Sequence, residues 1–390
     1  MSRDHQIEIV TKREIMGLVA VGVGLGLVGA IITILKLVPT QTGIAGTVLA
    51  FIIVFFGHMQ WRYGPLKKAV GQIGDENFEG ALATLEGYLA KTFDRQGRPQ
   101  SLAKILKASC LFYQEKLDEA IEMSTDVLKS TDCNHIKFFA QNNLVSCWIC
   151  QKKPLKANSE RAKILTMNVS NDAKREALVN VGLCYMNNEF FREAAETWDE
   201  ALKLFPDNEQ KAYILGFQSA CYNRIRSYDS AIEKVAEANG LNPRAALTKA
   251  ILLDNEAFAL ANKKEDLDRA LQMCKDAFAL KVPAAEPHLH MSLGEVHYAR
   301  GEFDLALEEL NCALQKIAKR DKNSHQKAYL TLGKIHQARG NLDEAKEALN
   351  QAISIDPSKT LAVHAQQILR DPDTYNTAVS KAGQVIKPQS

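Results

Sequence analysis

Apolar and polar positions alternate with a helical period along most of this chain. The clearest stretch is residues 327–357, KAYLTLGKIHQARGNLDEAKEALNQAISIDP. Leu332, Ile335, Leu342, Ala348, Leu349 and Ile353 recur there at helical spacing. That pattern predicts two short amphipathic helices with Gly340-Asn341 as the turn between them. Gly333 and Ala345, twelve residues apart, lack bulk where the helices of one hairpin must approach closely. Pro357 cannot continue a helix and ends the second one.

The same spacing returns along the chain. Residues 176–206 carry Gly182, Tyr185, Ala194, Trp198, Ala201 and Pro206 at matching offsets, and residues 288–313 carry Gly294, His297, Ala306, Leu310 and Ala313. Residues 213–243 keep Tyr222, Ala231, Ala238 and Pro243, with Ser219 in the glycine slot. Fainter copies centre on Ala81, Ala120, Ala157 and Ala270. Eight alanines, the fourth through eighth being Ala194, Ala231, Ala270, Ala306 and Ala345, thus mark the start of each second helix at a period of 36 to 39 residues. The pattern resembles the tetratricopeptide repeat, a helix–turn–helix unit of about 34 residues. The resemblance implies an all-α fold: a TPR-like α-solenoid, a right-handed superhelix of helix hairpins, with about eight repeats over residues 65–357. Residues 358–370 are expected to cap its open end, and 371–390 to form a flexible tail.

Ahead of the repeats lies a different pattern. After a polar segment, 1–14, residues 15–35 contain no charge, and a second apolar run covers 43–60. At 1.5 Å per residue the first spans a hydrocarbon core of about 30 Å, and the two predict a transmembrane hairpin over 15–61. A cleaved leader fits less well, because the first run is long and another follows at once. Arg3, Lys12 and Arg13 precede the first run, and Arg62, Lys67 and Lys68 follow the second, whereas the connection holds only Lys36. The positive-inside bias puts both termini in the cytoplasm, of a bacterial inner membrane in this reading. Gly22 and Gly26 form a GxxxG, which serves packing of the two spans on each other or, as the alternative, a homo-oligomer.

Composition narrows the chemistry. The chain has 390 residues, is 46% hydrophobic and carries a net charge of +2, so no global field attracts nucleic acid. No phosphate-binding glycine loop, HExxH, GxSxG or metal-type cluster occurs, and the reading is of a non-enzyme without cofactor or metal. Cys110, Cys147, Cys184 and Cys221 all fall two positions after the glycine slot, as buried small residues would. Cys147 and Cys150 form a CxxC with no second pair to complete a zinc site. His290, His297 and His336 take positions where the repeat family places packing residues. Unpaired cysteines fit a reducing compartment.

What remains is recognition of a protein or peptide. The resemblance implies that first helices line a concave groove. Counting from the glycine slots gives Phe112, Tyr113, Phe139, Asn142, Asn143, Asn180, Leu183, Tyr213, Phe217 and Arg224 as groove-facing candidates. Aromatics supply apolar contact and asparagines pair with a peptide backbone. Asn180 matches one slot of the family's carboxylate clamp, but its lysines are missing at the neighbouring positions, Asn142, Ser146, Tyr213 and Phe217. The layout also resembles the lipopolysaccharide assembly adaptors, without their single span and terminal CxxC pair. The expected function is a membrane-anchored scaffold recruiting a protein to the cytoplasmic face of the bilayer. The alternative is a chaperone-like envelope assembly or export factor with the repeats outside the cytoplasm.

Overall fold

The computed structural model describes residues 63–91, 97–319 and 321–370. The expected transmembrane hairpin and the tail 371–390 lie outside them. Among the described residues, no helix is long and apolar enough to cross a membrane. All regular structure in them is helical: α1 (63–74), α2 (Phe78–Lys91), α3 (Arg98–Tyr113), α4 (Leu117–Ser130), α5 (Asn134–Cys150) and α6 (Pro154–Thr166) come first. Then follow α7 (Asn171–Asn187), α8 (Phe191–Leu202), α9 (Asn208–Arg224), α10 (Tyr228–Gly240), α11 (Ala246–Lys263) and α12 (Leu267–Ala279). The last are α13 (Glu286–Ala299), α14 (Phe303–Lys316), α15 (Lys322–Arg339), α16 (Leu342–Ile355) and α17 (Thr360–Arg370). The chain divides into two compact units, up to Cys184 and from Tyr185 onward.

One local design builds each hairpin. Every marker alanine is the fourth residue of its second helix, and none is more than 4% exposed. Its N–H closes the first helical hydrogen bond, at 2.9 to 3.1 Å, from Ala81 donating to Asn77 O through Ala345 donating to Asn341 O. The small residue of the first helix meets the backbone there. A Cβ on Gly294 or Gly333 would lie 3.4 Å from the carbonyl oxygen of Ala306 or Ala345. Ser219, in the same slot, donates its hydroxyl to Ala231 O at 2.9 Å.

The turns repeat as well. Lys116 N donates to Leu111 O, Lys153 N to Trp148 O, Ser227 N to Tyr222 O, Glu302 N to His297 O and Asn341 N to His336 O, each at 2.9 Å. This six-to-one bond ends the first helix in a Schellman motif, which requires a left-handed residue just before the donor. Glycine fills that place at Gly301 and Gly340, whereas Glu76, Glu115, Lys152, Glu189 and Arg226 adopt it with φ of 58 to 67°. Between α11 and α12 the turn is a residue longer, and Lys264 and Asp266 are both left-handed. Asp266 then caps α12 by accepting from Arg269 N, as Asp207 and Asp321 cap α9 and α15.

Candidate functional site

The recognition candidates lie on first helices, although second helices also leave large apolar side chains exposed: Leu155 on α6, Leu305 on α14 and Leu342 on α16. In the unit up to Cys184, Tyr113 is half exposed and stacks on Phe78 with ring centroids 4.9 Å apart. Phe112 meets Tyr113 edge-on at 5.4 Å and also packs against the buried cluster of Leu111, Ala120 and Cys147. Phe139 is buried, edge-on to Phe138 at 5.7 Å, and so belongs to the core rather than to an open face. Asn143 ties α5 to α3, donating to Ser109 Oγ at 3.1 Å and to Ile105 O at 3.4 Å. Asn142 beside it is half-buried, and its buried Oδ1 accepts no hydrogen bond from the described residues. Asn180 is exposed and Leu183 half-buried on α7.

In the unit from Tyr185 onward, Tyr213 and Phe217 meet edge-on at 4.8 Å, and Phe217 leans on Trp198 at 5.6 Å. Arg224 lies 5.3 Å above the Phe191 ring, with its guanidinium 3.9 Å from Glu189. Three of the offsets that gave candidates, six and two before the slot and one after it, continue into later repeats. From Gly294 they give His288, Ser292 and Glu295, and from Gly333 Lys327, Thr331 and Lys334. The reading of the sequence stopped at Arg224 and missed these, although the same count reaches them. Their geometry repeats that of the first unit: Thr331 Oγ1 donates to Glu295 at 2.7 Å, the position pair that Asn143 and Ser109 occupy.

This second set is charged. Lys327 holds its ammonium 4.0 Å from the Phe258 ring centroid. Burial pushes its pKa down, against the pull of Glu295 and Asp254. Burial pushes the Asp254 carboxyl up, although Ser292 donates to it, and its buried Oδ1 has no donor. His364 on α17 is held at about 4, first by burial and then by Arg226, Lys334 and Arg224. Glu189 joins the two ends of this unit: it accepts from Thr360 N and Oγ1, both at 2.9 Å, while Lys359 donates to Asn187 O at 2.7 Å.

The cysteines pack as small apolar residues. None is in a disulfide, and burial raises Cys147 and Cys221 to about 12. Cys184 meets Cys150 by hydrogen bond and donates to Ser146 O at 3.8 Å, a neighbour that the CxxC spacing alone did not reveal. His290 and His297 bond Glu309 and Glu302 at 2.6 Å through Nδ1. Among the described residues, no group of three or more metal-ligating side chains is placed to hold an ion.

Two tetratricopeptide repeat families match the chain, one over residues 284–358 and another over 175–208. No curated protein matches it. Similar solved structures include a tetratricopeptide repeat protein from Parabacteroides merdae, 15% identical, with 80% of this chain and all of that one covered and a TM-score of 0.45. A signal transduction ATPase from Pyrococcus horikoshii with a tetratricopeptide repeat sensor is 15% identical, over 69% of this chain and 45% of its own, with a TM-score of 0.49. A thermophilic repeat protein from Thermus thermophilus is 23% identical over 50% of this chain and 98% of its own, with a TM-score of 0.40.

Proposed function

We propose that this tetratricopeptide-repeat protein is a non-enzymatic scaffold that recruits a protein partner to the cytoplasmic face of a membrane. The repeats carry the interaction, and the apolar runs 15–35 and 43–60 carry the anchoring. One observation supports the reading above others: first helices present polar groups with bonding capacity left over. Asn142 keeps a buried acceptor without a donor among the described residues, and Asn180 is exposed and Tyr113 half exposed on first helices of the same unit. An unmet buried acceptor is costly, and a donor from an ordered water or from a ligand relieves it. Membrane attachment then acts by raising the local concentration of whatever binds.

The test is crosslinking and capture from intact cells. Tyr113→Ala, Asn142→Ala and Asn180→Ala leave the hairpin cores intact, unlike changes at Phe112 or Phe139. The reading predicts that the triple variant loses partners that the parent chain captures, while both stay with the membrane pellet at alkaline pH. An unchanged partner set sinks the scaffold role. Extraction into the alkaline supernatant sinks the anchor.

A further inference from the structure

Cys184 differs from the other cysteines that stand two positions after a glycine slot. Five positions after the slot of the preceding first helix lies Tyr113 for Cys147 and Asn187 for Cys221, but Cys150 for Cys184. The structure brings that pair together. Cys150 is the last residue of α5, and Cys184 lies on α7 in the same compact unit. Cys184 donates to Ser146 O at 3.8 Å, the carbonyl one helical turn before Cys150. Its thiol also meets the Cys150 thiol by hydrogen bond. Neither sulfur is in a disulfide and both residues are half-buried, whereas Cys147, three residues before Cys150, has no exposed surface. The bond to Cys150, and then burial, push the Cys184 thiol up, so Cys184 keeps its proton.

We propose that Cys150 and Cys184 form an oxidation site for peroxides, which closes to a disulfide joining two neighbouring hairpins. The Cys150 thiolate, its proton released to solvent, attacks one oxygen of hydrogen peroxide and breaks the O–O bond. The sulfur gives up two electrons and becomes a sulfenic acid, and the other oxygen leaves as hydroxide, which takes up that proton. The Cys184 sulfur then attacks the sulfenic sulfur. The S–S bond forms, the S–O bond breaks, and the departing hydroxyl leaves with the Cys184 proton as water. Two thiols and one peroxide thus give one disulfide and two waters. The bond ties α5 to α7 where one hairpin meets the next. Each hairpin of a repeat array contacts only its neighbours, so a covalent tie at such a junction makes the oxidised unit harder to unfold. Transient disulfides that sense oxidants are the kind a reducing compartment permits.

The experiment uses the full chain in detergent micelles, first reduced and then exposed to hydrogen peroxide. Remaining thiols are blocked with iodoacetamide, and unreduced digests are read by mass spectrometry. A peptide pair joined through Cys150 and Cys184 is expected, and dithiothreitol should separate it. Cys184→Ser is expected to leave Cys150 as a sulfenic acid that dimedone traps, and Cys150→Ser to leave Cys184 as the thiol. The oxidised parent chain should melt about 5 °C or more above the reduced one, with no such rise in either variant. Should a serine variant fail to fold, digests and melting of the parent chain carry the test. Peroxide treatment that yields no bond between Cys150 and Cys184 overturns the proposal. So does a bond between Cys147 and Cys150 in its place, disulfides formed only between chains, or a melting point that oxidation leaves unchanged.

Discussion

A methyl group on Gly333 would lie 2.6 Å from Cγ and Cδ2 of Leu349, and one on Gly294 3.0 Å from Cγ of Leu310. These two glycines exist because a leucine of the second helix fills the space where their side chains would go. Gly333→Ala is therefore expected to destabilise the protein by about 1–3 kcal/mol, and Gly294→Ala by less, in urea titrations followed by circular dichroism. Buried thiols make a second residue-scale prediction. Cys147 and Cys221, raised to about 12, hold almost no thiolate near neutral pH. Iodoacetamide should leave both unmodified in the folded chain and modify both in urea, as mass spectrometry of digests would read. Rapid native alkylation at either would show that its packing is not as described.

At the scale of elements, the hairpin turn is where the sequence was half legible. Gly340-Asn341 announced its turn because glycine accepts a left-handed backbone without cost. The turns at Glu76, Glu115, Lys152, Glu189 and Arg226 have the same geometry with φ of 58 to 67°, but no residue that signals it. Their presence was readable only through the marker alanine five positions later. Glu115→Gly is accordingly expected to stabilise the chain by about 0.5–1 kcal/mol, and Gly340→Ala to destabilise it by about 1 kcal/mol, both in thermal unfolding. Glu189→Gly should not follow suit, because that carboxylate also holds Thr360. The helices themselves were legible because each first helix brings a small residue to the alanine of the second. The fate of Phe139 was not: periodicity puts it on a first helix, but only packing against Phe138 puts it in the core.

For the whole molecule, each unit is a row of hairpins, and the candidates for recognition stand on their first helices. The aromatic and amide groups before Arg224 were found from offsets, whereas the charged set after it was reachable by the same offsets and passed over. Its electrostatics were not legible at all, since they depend on burial and on Glu189 holding α17 at Thr360. They make a pH prediction. His364 sits at about 4 folded against 6.5 unfolded, so between those values the unfolded chain takes up a proton that the folded one refuses. Stability is full above 6.5 and falls as pH drops toward 4, by a slope of about one proton, and His364→Asn should remove that slope in urea titrations across the range. A slope unchanged in the variant would mean that other groups carry it.

The central claim, that first helices are the docking faces, is tested most directly by site-specific photocrosslinking in living cells. A photoreactive phenylalanine analogue is placed at Tyr113, Asn180 or Lys334 on first helices, and at Glu344 on the exposed side of α16. The account predicts protein adducts from the first three positions and none from Glu344. Adducts from Glu344 alone would contradict it.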